Sequence, residues 1–464
     1  MANRPKKSRS DDDTIVAIIT PPGEGGIAAL RLAGPASRTL ASQFFKLPSN
    51  ESGEWTPFML RFGHFLSTAG ERLDEVMSVY MPHGRSYTGL EQVELFCHGG
   101  RLIVRRILDE LIAAGARPAD PGEFTKLAFL HGRIDLARAE AVAEIISANT
   151  AISLSASREH LMGAYSEHIT QLREQLVRVC AEVEASIDFP EEEIAPAGRE
   201  ELTNSIDQVE QELRTLIDSY KGGRIINEGY RVVIGGRPNA GKSSLFNLLL
   251  REERALVNPI PGTTRDYLSE WIDIEGFKVN IIDTAGLREQ GGSIERQGQT
   301  RAKEIIKTSH LLIWLVDLSS KTWPKNLAAD LRALPAGERF TVGNKLDLLR
   351  TQRAADHDHI LDLLISCRTG AGVKELHRLL LSKINSQMPD LTSGLVVTSA
   401  RHKQKLATAL KAAHTARTKI IEGNSPELVA FDLREASNAL DEITGKLYTE
   451  EILERIFAKF CIGK

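Results

Sequence analysis

The sequence predicts a multidomain chain of mixed α+β and α/β character. Its parts are an N-terminal α+β domain, a discontinuous helical domain, and a doubly wound α/β domain inserted between the two helical segments. Three observations carry this. Residues 14–125 mix short apolar runs with Gly/Pro turns. Helical periodicity is almost continuous from Ile134 to Lys221 and returns from Ser399 to Phe460. Between them, residues 230–385 alternate strand-like and helix-like segments. A length of 464 residues suits two to four domains.

Taken in order, the basic-to-acidic start MANRPKKSRSDDD has no apolar run behind it, so residues 1–12 read as a disordered tail, not a signal peptide. Residues 13–130 form the first domain, with strands at Ile15–Ile19, Val76–Tyr80 and Val93–Phe96 and a helix at Leu102–Ala114. Residues 131–227 are the first helical segment. Leu172, Leu176, Val179 and Val183 recur at three- and four-residue steps, and Pro190 with Glu191–Glu193 breaks the run into two helices. Residues 228–385 carry strand candidates Arg231–Ile234, Val279–Ile282, Leu311–Val316, Phe340–Gly343 and Leu361–Ile365, an order that argues for a parallel sheet. Residues 386–464 return to helix and end in Cys-Ile-Gly-Lys.

Composition narrows the function classes. A net charge of −4 supplies no global attraction to nucleic acid, so any such contact needs a local basic patch. Cys97, Cys180, Cys367 and Cys461 lie too far apart for a zinc site or a disulfide framework; reduced thiols in a cytosol are the simpler reading. The most apolar stretch, near Leu311–Val316, is far too short to span a bilayer, so the expected location is cytoplasmic, off the membrane.

The chemistry begins at Gly236-Arg-Pro-Asn-Ala-Gly241-Lys242-Ser243, which fits G-x-x-x-x-G-K-[ST] between a strand and the apolar helix Ser244–Leu250. Glycines let backbone N–H groups turn inward around phosphate oxygens, and the helix N-terminus adds its positive end. Asn239, Ala240, Gly241, Lys242, Ser243 and Ser244 are therefore nucleotide candidates. Lys242 reaches the β- and γ-phosphates and Ser243 ligates Mg²⁺.

Asn344-Lys345-Leu346-Asp347 follows a strand about a hundred residues later. A carboxylate there accepts two hydrogen bonds from guanine N1–H and N2–H, a donor pair that adenine lacks. The run resembles the NKxD motif of Ras-like GTPases. Asp283-Thr284-Ala285-Gly286 matches DxxG: Asp283 would hold Mg²⁺ through water and Gly286 N–H would sense the γ-phosphate. Thr263 and Thr264 fit the first switch, Thr264 as the metal ligand. Ser366-Cys367-Arg368 stands where SA[KR] normally supports the base, with Cys367 replacing Ala. Together these predict GTP and Mg²⁺ binding. The position after DxxG, which in Ras is Gln, is Leu287, and Leu287 cannot hydrogen-bond water. The chain thus either hydrolyses GTP poorly or obtains help elsewhere. Arg265 and Arg288 could act as arginine fingers, though an ordinary surface arginine is the simpler reading of each.

Beyond these motifs the whole chain from Thr14 to Lys464 resembles the MnmE (TrmE) family of tRNA-modifying GTPases. The resemblance rests on Asp13-Thr-Ile-Val-Ala-Ile-Ile-Thr-Pro-Pro-Gly, Pro121-Gly-Glu-Phe-Thr, Asp135-Leu-Ala-Arg-Ala-Glu-Ala-Val-Ala, the phosphate loop, Gly262-Thr-Thr-Arg-Asp and the terminal Phe460-Cys-Ile-Gly-Lys. It implies a folate-binding N-terminal domain that dimerises, a helical domain and an inserted Ras-like G domain. It also implies K⁺-dependent pairing of G domains, which would compensate for Leu287. Asn239 matches the side-chain K⁺ ligand, with backbone carbonyls of Asn258, Ile260 and Thr263 completing the site; Asn258 and Thr263 also count as nucleotide contacts. Glu295 matches a glutamate that positions the attacking water, a role its sequence context alone does not suggest.

The resemblance further assigns Arg31, Glu94, Arg133 and Lys464 to a 5-formyltetrahydrofolate or methylenetetrahydrofolate ligand. Cations suit the glutamate tail and a carboxylate can read the pterin N–H edge. The family's Tyr-Thr-Gly-Glu-Asp appears here as Tyr87-Thr-Gly-Leu90-Glu91. Cys461 is implied to be functional near the folate and the tRNA base; a cysteine packed at a helix end is the alternative. The family acts as a homodimer and as a heterotetramer with the flavoprotein MnmG, which brings FAD. Arg401, His402, Lys403, Lys405, Lys411, Arg417 and Lys419 form the best basic element for phosphates, and a solvated face is the equal alternative. The expected activity is an enzyme that modifies C5 of the wobble uridine of certain tRNAs. The rival is a non-catalytic ribosome-assembly switch resembling Era or Der.

Overall fold

The computed structural model describes residues 13–48, 55–188, 196–252, 254–255, 268–284, 304–349, 360–388 and 395–464. The chain divides into two compact units, Met1–Ala143 with Asp441–Lys464, and Glu144–Leu440.

The first unit is built on a sheet of order β3-β4-β5-β6-β2-β1-β7, with β1 Ile15–Ile18, β2 Gly25–Ala33, β3 Phe45–Lys46, β4 Arg61–Leu66, β5 Arg72–Met81, β6 Gln92–Gly99 and β7 Arg117–Pro118. Its helices are α1 Ser37–Phe44, α2 Arg101–Ala113 and α3 Glu123–Leu130, followed by the start of α4 Leu136–Ser147. The three strands and the helix expected from the sequence correspond to β1, β5, β6 and α2, with Ile19 and Ala114 falling one residue outside β1 and α2. Strands β2 and β4 were not legible beforehand. Val104, Ile107 and Leu111 of α2 share one core with Leu30, Leu32, Phe65, Val93 and Leu95. Burying such side chains contributes roughly 1.5–3 kcal/mol each before entropy is subtracted. At the chain's end, helix Glu450–Phe457 is capped by Thr449, which accepts a hydrogen bond from Ile452 N. Its Leu453 and Phe457 pack with Phe129, Leu136 and Phe460.

The second unit combines helices and the inserted sheet. Helices α5 Ala151–Met162, α6 Ala164–Asp188 and α7 Pro196–Glu228 precede the sheet. The predicted apolar row of α6, Leu172, Leu176, Val179 and Val183, is buried. The sheet runs β14-β13-β12-β8-β11-β10-β9. Strand β8 Tyr230–Gly236 lies at its centre, parallel to β11 Phe277–Asp283 and β12 Leu311–Asp317. Strands β13 Arg339–Asn344 and β14 Leu363–Leu364 continue the parallel array. Helices α8 Lys242–Glu252 and α9 Trp323–Ala333 fall between these strands in the chain, and α10 Val373–Asn385 follows β14. The chain then returns through α11 Ala400–Glu422 and α12 Pro426–Thr444.

The five strands expected from the sequence all lie in the parallel part of this sheet; one edge carries further strands of opposite sense. Strands β9 Arg254–Ala255 and β10 Leu268–Ile274 pair antiparallel, and β10 pairs antiparallel with β11. The cause is a two-residue turn. Glu275 and Gly276 both have positive φ, 48° and 89°, while Ile274 pairs with Phe277. That is the backbone a type I′ hairpin requires. The two helical segments meet where α7 packs along α11. Buried Glu210 of α7 accepts from Arg417 Nε at 2.9 Å and pairs with His414 at 3.2 Å.

Candidate functional site

Parallel order brings the C-terminal ends of β8, β11, β12 and β13 to one side of the sheet, the usual place for ligands in open α/β folds. The apolar run Val232-Val233-Ile234 buries β8 on both faces, so the chain must leave the sheet at Gly236. Gly236 has φ 145°, and a Cβ there would collide with Leu315 O. Gly241 has φ 97°, and a Cβ would strike the Asn344 amide. Asn239 is left-handed at φ 63°, a conformation its short amide side chain tolerates. Lys242 opens α8, largely buried, with Nζ donating to Arg237 O at 3.1 Å. Ser244 is exposed on the first turn of α8.

Asn344, at the end of β13, joins the two halves of the site. Its Nδ2 donates to Ala240 O at 2.9 Å, and its Oδ1 accepts from Cys367 N at 3.0 Å. Both contacts are made by a residue only 2 % exposed. Lys345, left-handed at φ 69°, donates Nζ to Asp317 at 2.6 Å. Asp347 accepts from Ser366 Oγ at 2.5 Å and pairs with Arg368 at 2.8 Å. The Ser366 hydroxyl, joined by the Arg368 guanidinium, holds the Asp347 carboxyl below the usual carboxylate range. It therefore stays an acceptor at neutral pH, as guanine N–H donors require. Burial alone would raise the Asp317 carboxyl, but hydrogen bonds from Lys345 and Ser319 outweigh it and leave it lowered. Burial pushes the Cys367 thiol up to about 11, and the residue packs against the core while its backbone N–H donates to Asn344.

Ser243 Oγ donates to Asp283 Oδ2 at 2.8 Å, and Asp283 is fully buried at the end of β11. A hydroxyl and a carboxylate converging beside the phosphate loop are the hard oxygen donors that suit Mg²⁺. Among the described residues no group of three or more His, Cys, Asp or Glu could hold a metal. Mg²⁺ in nucleotide sites usually needs only one or two protein oxygens beside the phosphates. Thr284 Oγ1 donates to Ile234 O at 2.9 Å and pins the start of the DxxG segment to β8. Asn258, Ile260, Thr263, Thr264, Ala285, Gly286 and Glu295, with Arg265, Leu287 and Arg288, lie outside the described residues.

In the first unit, Arg31 of β2 and Glu94 of β6 are direct cross-strand partners and form an ion pair at 2.8 Å. The Arg31 guanidinium sits over Tyr87 and Phe124, 5.3 and 5.4 Å from their ring centroids. Gln92 Nε2 donates to Glu94 at 3.0 Å. Arg133 Nη1 donates to Gly84 O at 3.2 Å, at the loop that carries Tyr87. Phe124 N donates to Lys464 O at 3.1 Å, and Gly122 N to Cys461 O at 3.4 Å. The C-terminal tail is thus folded against the start of α3. Gly463, with φ 97°, lets it approach Ile18 O. Cys461 is exposed, whereas burial pushes the Cys97 thiol up to about 12 and the Cys180 thiol to about 11.

The basic row on α11 does not survive as one free face. His402 is 2 % exposed, Arg417 holds Glu210, and Lys419 pairs with Asp432 at 2.6 Å. Lys403 and Lys411 remain exposed. Arg237, Tyr87 and Phe124 lie within the motifs quoted above, which gave them no role of their own; Asp317, Asp330 and Gln92 lie outside every motif. Of these last three, Asp317 carried a signal, a carboxylate at the C-terminal end of a buried strand. Among the described residues no helix is long and apolar enough to cross a membrane.

Comparison with known proteins places the chain in a family. The family described as MnmE helical domain matches residues 136–461, and that described as GTP-binding protein TrmE N-terminus matches residues 14–133. The chain is 39% identical over 453 residues to the tRNA modification GTPase MnmE of Aquifex aeolicus, covering 97% of this chain and 100% of that protein. It is also 39% identical over 459 residues to its namesake in Natranaerobius thermophilus, covering 98% and 100%. Among solved structures, Aquifex aeolicus Era bound to GDP and aluminium fluoride matches at 22% identity and TM-score 0.27, over 39% of this chain and 66% of that one.

Proposed function

Since the chain belongs to the MnmE family of tRNA modification GTPases, we propose that it is a K⁺-activated GTP hydrolase that modifies C5 of the wobble uridine of certain tRNAs. With the flavoprotein MnmG it would add an aminomethyl or carboxymethylaminomethyl group, using a folate one-carbon unit. The observation that carries the GTPase half is Asn344, which ties the phosphate loop to the loop that supports Asp347.

In this reading Lys242 leaves Arg237 O for the β- and γ-phosphate oxygens, and Asp347 accepts from guanine. Ser243, Asp283 and Thr264 hold Mg²⁺, which supplies charge neutralisation at the phosphates. Asn239, with the carbonyls of Asn258, Ile260 and Thr263, holds K⁺, whose charge takes the place of an arginine finger. Glu295 orients the water that Leu287 cannot. Arg31, Glu94, Arg133 and Lys464 hold the folate, which supplies the carbon. The cross-strand pair of Arg31 with Glu94 supports this, because it offers a cation and a carboxylate side by side against aromatic rings. Cys461 lies exposed on the same tail. FAD and its redox chemistry reside on MnmG. The exposed apolar run Phe58, Met59, Leu60 and Phe62 supports a homodimer through the first unit, and a heterotetramer with MnmG follows from the family. The cytoplasm is the proposed location.

Mass spectrometry of tRNA from a deletion strain tests the proposal. Wobble uridines should lose their C5 group and regain it when the gene is restored. Unchanged uridines would refute the enzyme reading and leave the assembly-switch alternative.

A further inference from the structure

The phosphate loop is held from outside as well as within. The Arg237 guanidinium grips Asp330 of α9 as a fork: Nε donates to the two carboxylate oxygens at 3.2 and 2.9 Å, and Nη2 to Oδ1 at 2.9 Å. The carbonyl of the same Arg237 accepts Lys242 Nζ at 3.1 Å. One residue therefore meets α9 with its side chain and the phosphate lysine with its backbone. Helix α9 is itself anchored, with Trp323 and Leu327 buried against Val316 and Leu318. The strand that leads into it ends at Asp317, which takes the base-side Lys345 at 2.6 Å. Between the two ion pairs lies a cavity of about 260 Å³ lined by Arg237, Pro238, Asn239, Asp317, Trp323 and Asp330.

An ion pair this exposed adds little to stability; Arg237 is 49 % exposed and Asp330 17 %. A two-pronged guanidinium–carboxylate contact does fix direction. We propose that Asp330 and Arg237 are positioning residues for GTP hydrolysis: the fork fixes the phosphate loop on α9, so that Arg237 O holds Lys242 in line for the phosphates before nucleotide arrives. Asp317 does the same for Lys345, so the β12–α9 segment grips both ends of the nucleotide site. This rests on the GTP reading above.

The test uses the full chain with Mg²⁺ and K⁺, comparing the unaltered protein with Asp330→Asn and Asp330→Glu. Affinity is measured for GTP and for guanosine, which carries the base but no phosphate, together with kcat and KM for GTP. Asp330→Asn should weaken GTP binding about five- to tenfold and lower kcat, while guanosine affinity is unchanged. Asp330→Glu should restore most of the loss. Unchanged GTP affinity and kcat in Asp330→Asn would overturn the proposal. So would an equal loss for guanosine and GTP, which marks a merely structural role. No GTP uptake by the unaltered chain would overturn the GTP reading itself and this proposal with it, so the two failures are told apart.

Discussion

At position 347 a single carboxylate decides which base the site accepts. Ser366 and Arg368 hold it ionised and oriented. Two N–H groups of guanine match its two oxygens. In Asp347→Asn the amide would offer one donor, which suits the C2 oxygen of xanthine and opposes the N2–H₂ of guanine. Competition binding should show GTP affinity falling roughly a hundredfold or more and XTP affinity rising. Unchanged GTP preference would mean Asp347 does not read the base. Residues of this kind were legible in the sequence because motif spacing marks them. Asn344 was legible as part of NKxD, but not its grip on Ala240 and Cys367. That grip depends on β13 lying two strands from β8, which no local pattern encodes. Asp330 was silent for the same reason: it reaches Arg237 across 93 residues of chain.

Elements were legible where one periodicity dominated. The apolar row of α6 and the parallel strands are examples. The β10–β11 hairpin was missed because Glu-Gly is a less familiar turn pair than Asn-Gly or Asp-Gly, although both residues adopt the required left-handed backbone. The basic row of α11 was misleading, since charge along a helix says nothing of acidic partners on α7 and α12. Packing also sets a pH response. His310, at the start of β12, stacks on Tyr230 with centroids 5.0 Å apart and accepts from Arg231 N at 2.9 Å. Burial, reinforced by Arg224, Arg231 and Lys221, lowers its pKa to about 4. The unfolded imidazole, near 6.5, takes up a proton first, so this contribution to stability is complete above about pH 6.5 and drains away as pH falls towards 4. Denaturant midpoints measured from pH 7 to pH 4.5 should fall less steeply in His310→Phe, which keeps the stack. Equal slopes would show that His310 does not titrate this way.

For the molecule as a whole, the long-range plan was readable: helical periodicity stops near Lys221, resumes near Ser399, and the segments rejoin as α7 on α11. The folding of the C-terminal tail against α3 was not, because Cys-Ile-Gly-Lys has no periodicity to betray its partner. The same scale governs turnover. With Leu287 unable to orient water, a K⁺-filled site at Asn239 should raise GTP hydrolysis about fivefold or more in K⁺ over Na⁺. Asn239→Ala and Asn239→Gly should both abolish that difference. Glycine removes the amide while retaining the left-handed backbone, so its failure isolates the side chain. Equal rates in both salts for the unaltered chain would refute the cation site.

The central claim is that β8 and α8 cradle a triphosphate while Asp347 selects guanine. Calorimetric titration of the full chain with GTP and with ATP, in Mg²⁺, tests it most directly. GTP should bind with an affinity at least about a hundredfold above that for ATP; equal affinities, or no heat with either nucleotide, would contradict it.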